Sequence, residues 1–256
     1  MHLLLTNDDG VDAPGLLALA QAMRALGQVS VLAPNRNWSA SGHVKTLHRP
    51  LRVWPTVLAD GSAAFTTDGA PSDCVALAVL GLIETPIDLV VSGINPHANV
   101  GHDVTYSGTV TAAMEAMIAG LPALAVSLDS EHEPSSVDDY RCAANVARTL
   151  AERVRDLGLP SGVLLNVNVP ARPQQELRGM TLTRQGLRVY RDALVRREDP
   201  RGRPYYWIGG EAPTGILEQG TDLWALSEGW VSITPLHLDL TAYPALSSLA
   251  PLLEPL

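Results

Sequence analysis

The sequence predicts an α/β protein, a Rossmann-like and mostly parallel sheet flanked by helices, with a C-terminal extension rich in β-hairpins. Three observations predict it. Apolar, β-prone runs alternate with helical segments as far as residue 169, the rhythm of parallel strands joined by helical crossovers. Several runs end abruptly in loops of Gly, Asn and Asp rather than in two-residue hairpin turns. After Pro170 the alternation stops and short β-prone pieces take over. The chain therefore divides into a Rossmann-like core, residues 1–172, and a β-hairpin arm with a C-terminal segment, residues 173–256.

At 256 residues the chain is long enough for a substantial core, and 46% apolar with 18% charged residues is a globular balance. A net charge of -9 argues against gripping DNA or RNA polymers. It leaves room for a small phosphorylated substrate, because a bound cation inverts the field locally. Cys74 and Cys142 stand far apart without a partner motif and read as reduced, buried side chains. The N-terminus enters a strand with no secretory leader, and no apolar run reaches the roughly 20 residues that span a bilayer, so the expected location is the cytoplasm.

In chain order, Leu3, Leu4 and Leu5 form a buried strand that stops at Asn7-Asp8-Asp9-Gly10. Residues 15–27 are strong helix formers, apolar nearly all round and closed by a glycine, so this helix packs on a sheet. Residues 29–34 make a second strand and complete a βαβ unit. The polar loop 35–43 then reaches the same carboxyl edge as Asp8 and Asp9, where open α/β sheets bind ligands. Extended segments fill 51–67, and a helix over 71–82 carries Pro71 in its first turn. The strand 88–92 breaks into a loop, 93–106, too rich in Gly, Asn and Asp for a plain connector. A helix opening at Ser107-Gly108-Thr109, a strand at 123–128, an amphipathic helix over 136–157 and a strand at 163–169 complete the alternation. Beyond them, pieces at 180–183, 187–190, 205–208 and 230–235 read as hairpins projecting from the body. A charged arm of this kind is poorly stable alone and needs a second subunit to dock on.

Chemistry concentrates in the loops. Two adjacent carboxylates at the end of a buried strand repel each other and lose water, so a positive partner is expected. A hard divalent cation, Mg²⁺ or Mn²⁺, suits oxygen donors. Taken alone, Asp8 and Asp9 read equally well as a solvated turn or a helix N-cap. The second and third loops add Ser39 and Asn95, so that Asp8, Asp9, Ser39 and Asn95 offer two carboxylates, a hydroxyl and an amide oxygen. Ser39 by itself is a loop hydroxyl and Asn95 a turn former; their joint placement at one edge points to function. Ser107, Gly108 and Thr109 at a helix start form a cradle for phosphate, with capping as the alternative role of the two hydroxyls, and Asn99 is expected to orient a phosphate oxygen. One divalent metal per subunit at such a site supports phosphate ester hydrolysis, Asp8 and Asp9 holding the ion and one of them helping to take a proton from the attacking water.

Thr6-Asn7-Asp8-Asp9-Gly10, Ala33-Pro34 through Ser39, Ser92-Gly93-Ile94-Asn95, and Asn99, Gly101, Asp103-Val104 and Tyr106-Ser107-Gly108-Thr109-Val110 together closely resemble the SurE family, the survival proteins with 5'/3'-nucleotidase activity. Asp73-Cys74-Val75, residues 165–170, Thr183-Arg184 and residues 231–236 extend the likeness over almost the whole chain. The resemblance implies a Rossmann-like core, a divalent metal on Asp8, Asp9, Ser39 and Asn95, and hydrolysis of nucleoside monophosphates. It also implies phosphate release from short polyphosphate and a homo-dimer or homo-tetramer built by exchange of the C-terminal arm. Neither a nucleic acid polymer nor a membrane is expected as a partner. His97 stands where the family commonly has glycine, and His102 takes the loop position after Gly101; both read as loop residues without a catalytic role.

Two other enzyme classes fit less well. Phosphatases with an aspartyl nucleophile use Asp-x-Asp, whereas these acids are adjacent. A dinucleotide-binding dehydrogenase needs Gly-x-Gly-x-x-Gly where this chain puts carboxylates. A non-catalytic metal- and nucleotide-binding regulatory protein on the same fold is the remaining alternative.

Overall fold

The computed structural model describes residues 1–130 and 132–253, so the last three residues of the C-terminal segment lie outside it. The core elements are β1 (His2–Thr6), α1 (Pro14–Met23), β2 (Gln28–Pro34), β3 (Val53–Val57), β4 (Ala63–Thr67), α2 (Pro71–Leu77), β5 (Leu89–Asn95), α3 (Gly108–Ile118), β6 (Ala123–Asp129), α4 (Arg141–Leu157) and β7 (Leu164–Pro170). After them come β8 (Met180–Leu182), β9 (Arg188–Glu198), β10 (Pro204–Gly215), α5 (Asp222–Ser227), β11 (Val231–Leu236) and α6 (Leu246–Leu249). This is the α/β sheet with flanking helices that the sequence predicts. A wider helical turn, Ala78–Leu82, continues α2, and a short turn, Val137–Tyr140, leads into α4.

Among the described residues the main sheet runs β3-β4-β2-β1-β5-β6-β7-β11-β8. Its centre, β2-β1-β5-β6-β7, is parallel throughout. Leu3, Leu4 and Leu5 are all fully buried because β1 has covered faces on both sides. Leu3 and Leu5 pack with α1 and α4, whereas Leu4 packs with α2 and α3, the two-residue period of a strand.

The direction of winding reverses between β1 and β5. From β1 the chain moves one way to β2, and from β5 it moves the other way to β6 and β7. With α1 on one face and α3 on the other, those two crossovers share a hand. The β6-α4-β7 crossover moves in the same direction as β5-α3-β6 yet lies on the opposite face, so its hand is opposite. Given the strong preference for right-handed crossovers, it is the left-handed exception. The result is that α4 lies beside α1, and Tyr140 is buried against the start of that helix. The approach is close: a Cβ on Gly15 would stand 2.2 Å from the Ile94 carbonyl oxygen and 3.0 Å from Tyr140 Cε1.

The C-terminal region departs from a set of projecting hairpins. The pieces at 180–183 and 230–235 join the main sheet, β11 antiparallel to β7 and β8 parallel to β11. Val231, Ser232, Ile233 and Thr234 are buried there, covering an edge of β7 that would otherwise expose unpaired backbone. Only β9 and β10 form the separate hairpin, whose Leu194, Trp207 and Ile208 face outward. Its base is bound to the loop after β5. Arg188 Nε donates to Asp103 Oδ2 at 2.8 Å, the Tyr190 hydroxyl donates to the other oxygen, and Gln185 Nε2 donates to the Gly101 carbonyl at 2.9 Å. Fully buried Asp222 accepts from the backbone N–H groups of Gly101, Gly186 and Leu223, each at 2.8 Å.

Cys74 is buried and Cys142 half-buried, and both are free thiols. No described helix is long and apolar enough to cross a membrane. Because Asp222 satisfies three backbone donors, Asp222→Ala is expected to cost about 3 kcal/mol or more, at roughly 1–3 kcal/mol for each buried donor left unpaired. Urea unfolding of the purified variant measures it; a loss below about 1 kcal/mol would show that water replaces the carboxylate.

Candidate active site

At the end of β1 the chain is turned by Asn7, whose Nδ2 donates to the Gly10 carbonyl at 2.9 Å while its Oδ1 accepts from Gly10 N–H at 3.2 Å. This local ring sets Asp8 and Asp9 at the carboxyl edge of the sheet. Asp8 is almost completely buried, and its Oδ1 accepts the Thr109 hydroxyl at 2.6 Å. The start of α3 fits against it so closely that a Cβ on Gly108 would lie 2.7 Å from Asp8 Cβ and 3.0 Å from Oδ2. Only a glycine admits that approach without displacing the acid.

Burial pushes the Asp8 carboxyl above the usual range, partly offset by the Thr109 hydroxyl and by the backbone N–H groups of Gly108 and Thr109. Asp9 is pushed up to about 7, first by burial, then by the charges of Asp8 and Glu133. Among the described residues no ion pair reaches either carboxylate.

The second loop meets this point through its backbone, Trp38 N–H donating to the Asp8 carbonyl at 2.7 Å. Ser39 follows directly, exposed, with its own N–H on Asn37 Oδ1 at 2.6 Å. The loop is then stitched to α3: Lys45 Nζ and His43 Nε2 lie 2.7 and 3.1 Å from the two oxygens of Glu115. The third loop brings Asn95 to the end of β5, half-buried, with Nδ2 donating to the His97 carbonyl at 2.6 Å and Oδ1 left to accept.

Other residues expected at the phosphate have structural partners. Ser107 caps α3, its Oγ accepting from Val110 N–H at 3.1 Å, which is the capping role weighed from the sequence. Thr109 spends its hydroxyl on Asp8. The Asn99 side chain turns toward β6 and donates to Ser127 Oγ at 2.8 Å, while its carbonyl accepts from Asn166 and Asn168. His102 is exposed. His97 pairs with Glu133, Nε2 to Oε2 3.2 Å. Glu133 is the residue the sequence reading passed over; an acid between a strand and a helix carries no signal until the chain brings it toward Asp9.

The donor set suits a hard cation. Asp8 and Asp9 are crowded acids with raised pKa values and, among the described residues, no ion pair, and Ser39 and Asn95 add oxygen donors of the kind such a cation takes. Among the described residues no three His, Cys, Asp or Glu side chains form a metal cluster.

Fold and site together define a Rossmann-like α/β protein with an acidic, oxygen-rich centre at the switch point of its sheet. Residues 3–192 match the family model described as "Survival protein SurE". The "5'-nucleotidase SurE" of Herpetosiphon aurantiacus is 54% identical over 94% of each chain. That of Chloroflexus aggregans is 52% identical, covering 97% of this chain and 98% of the relative. In structure, the SurE protein from Aquifex aeolicus matches with a TM-score of 0.83 and 39% identity, over 98% of this chain and 99% of the other. The chain belongs to the SurE family, as its motifs imply.

Without a cation, Asp9 keeps its proton in the fold up to about pH 7 but ionises near 3.8 when unfolded. The native state binds the extra proton in that window, so this group's contribution to stability falls as pH rises through it. The cation-free parent and Asp9→Asn should therefore melt alike near the low end, with the variant melting progressively higher toward neutrality. Thermal unfolding in chelator across the window checks this; a gap independent of pH would count against a raised Asp9.

Proposed function

We propose that this protein is a divalent-cation-dependent phosphomonoesterase that hydrolyses nucleoside 5'- and 3'-monophosphates to nucleoside and phosphate. In this reading it also releases phosphate from short polyphosphate and works in the cytoplasm as a homo-dimer or homo-tetramer joined through the C-terminal arm. One observation carries the proposal: Asp8 and Asp9 stand side by side at the carboxyl edge of the sheet, Asp8 against the start of α3, both carboxyls pushed up by burial and, among the described residues, neither in an ion pair. A phosphate alone would be repelled by that pair, whereas a cation between them attracts both. The name 5'-nucleotidase, carried by relatives 52% and 54% identical over nearly the whole chain, supports the substrate class.

Asp8, Asp9, Ser39 and Asn95 would hold one Mg²⁺ or Mn²⁺ per subunit. When bound, such an ion supplies charge to the phosphoryl oxygens and acidifies water. The protein's own residues do the rest. Thr109 engages Oδ1 of Asp8 and so fixes the orientation of that carboxyl. Asp8 and Asp9 stand beside the attacking water in this reading, and one of them helps to take its proton. Ser107, Gly108 and Thr109 offer the positive end of α3 to the phosphate, and Asn99, braced by Asn166 and Asn168, has an amide hydrogen left to orient a phosphate oxygen. Exposed Leu194 and Ile208 on one face of the hairpin and Trp207 on the other give the arm apolar side chains for a second copy to cover.

The test is phosphate release from nucleoside monophosphates, short polyphosphate and an aryl phosphate by chelator-stripped protein, with and without added Mg²⁺ or Mn²⁺. Release only with cation, favouring nucleotides, is expected; silence from folded, cation-loaded protein overturns the reading. In the same assay a folded Asp9→Asn should lose about 10²-fold or more in kcat. Thr109→Val should raise the cation concentration for half-maximal activity about 10-fold, the usual scale for a group that orients a ligand.

A further inference from the structure

We infer that the cleft beyond the carboxyl ends of β6 and β7 receives the nucleoside half of the substrate, with the Asn145 and Gln174 amides meeting the base. The inference rests on the phosphomonoesterase reading and adds where the leaving group lies. The cleft measures about 520 Å³ and is lined by Glu133, Pro134, Asn145, Arg172, Pro173 and Gln174, among others. That volume falls within the roughly 300–1,000 Å³ of small-molecule sites.

Position follows from topology. Along the sheet edge β1 carries Asp8 and Asp9, β5 carries Asn95, and the loops after β6 and β7 come next. Glu133 joins the two regions: it lines the cleft, lies 3.2 Å from His97 of the third loop, and its charge is felt at Asp9. On the opposite flank the second loop is tied to the acidic loop and to the start of α3. Trp38 N–H donates to the Asp8 carbonyl, Gly42 N–H donates to the Tyr106 carbonyl at 2.9 Å, and the Thr111 hydroxyl donates to the Gly42 carbonyl at 3.1 Å. An ester whose phosphorus sits over the two acids therefore has its leaving group directed past Glu133.

The lining suits a nucleoside. Pro134 and Pro173 supply flat apolar surface, and the two amides each offer a donor and an acceptor to a base edge. Arg172 makes no ion pair among the described residues, which leaves its guanidinium to stack on an aromatic face. The Glu133 carboxylate can accept from ribose hydroxyls.

The test compares adenosine 5'-monophosphate with p-nitrophenyl phosphate, using the full chain loaded with Mn²⁺. Two variants are used: Asn145→Ala with Gln174→Ala, which removes the amides, and Ala171→Trp, which fills the cleft from an exposed rim position. The expected result is a KM for the nucleotide raised about 30-fold by the loss of the two amides, roughly five- to sixfold for each hydrogen bond, and raised by the filled cleft, with its kcat and both constants for the aryl phosphate unchanged. Nucleotide kinetics unaltered in both variants, or equal losses on both substrates, overturn the inference while leaving phosphatase activity standing. A parent protein that cleaves neither substrate overturns the phosphomonoesterase reading, and this inference with it.

Discussion

The contact between Asp8 and the first turn of α3 is the constraint on which the centre depends. A carboxylate buried to this degree without a cationic partner is unfavourable, and the Thr109 hydroxyl with the adjoining N–H groups offsets only part of the cost. The offset requires α3 to come within van der Waals contact of Asp8, which Gly108 permits. Asp9, lacking such a helix end, feels burial and two negative neighbours and ends near neutrality.

Around that contact the third loop is held from two directions. The sheet anchors it through Asn99, tied to Asn166 and Asn168 of β7. The C-terminal region anchors it through Asp222, Gln185, Arg188 and Tyr190. The residues just before the hairpin and its first strand thus belong to the support of the centre as much as to any contact with another copy. Displacement of the hairpin base would move Gly101 and Asp103, and through them the segment that carries Asn95. The sheet extension by β11 and β8 gives this region a rigid floor, since the residues of β11 that face inward are buried.

The opposite-handed crossover at α4 serves the same edge. Placing α4 with α1 rather than with α3 leaves the α3 face to the second loop, where Glu115 receives Lys45 and His43. It also brings Tyr140 against Gly15 at the start of α1, and the loop before α4 carries Glu133 to the mouth of the adjoining cleft. His97 meets Glu133 there, beside the passage from the centre to the cleft.

Much of this was legible from residues alone. Alternating apolar runs specify parallel strands and helices because the periods of two and 3.6 residues are local properties of the chain. Leu3, Leu4 and Leu5, the helix-forming run that becomes α1, and the loops bearing Asp8 and Ser39 stand where that periodicity puts them, whereas β5 runs on through Gly93 and Ile94 to Asn95, three residues past the expected break. The acidic pair announced a need for positive charge for an equally local reason, the repulsion of adjacent carboxylates. Three things only the tertiary structure decided. The hand of the α4 crossover depends on which face is free after α3 has packed, which no local period encodes. The entry of β8 and β11 into the main sheet depends on an unpaired β7 edge being available to them. The partners of Thr109, Asn99 and Glu133 depend on residues 28 to 101 positions away in the chain or on electrostatic reach across the edge. Sequence determined which groups could carry chemistry; the packing of α3, α4 and the C-terminal region determined which of them hold the centre and which support it.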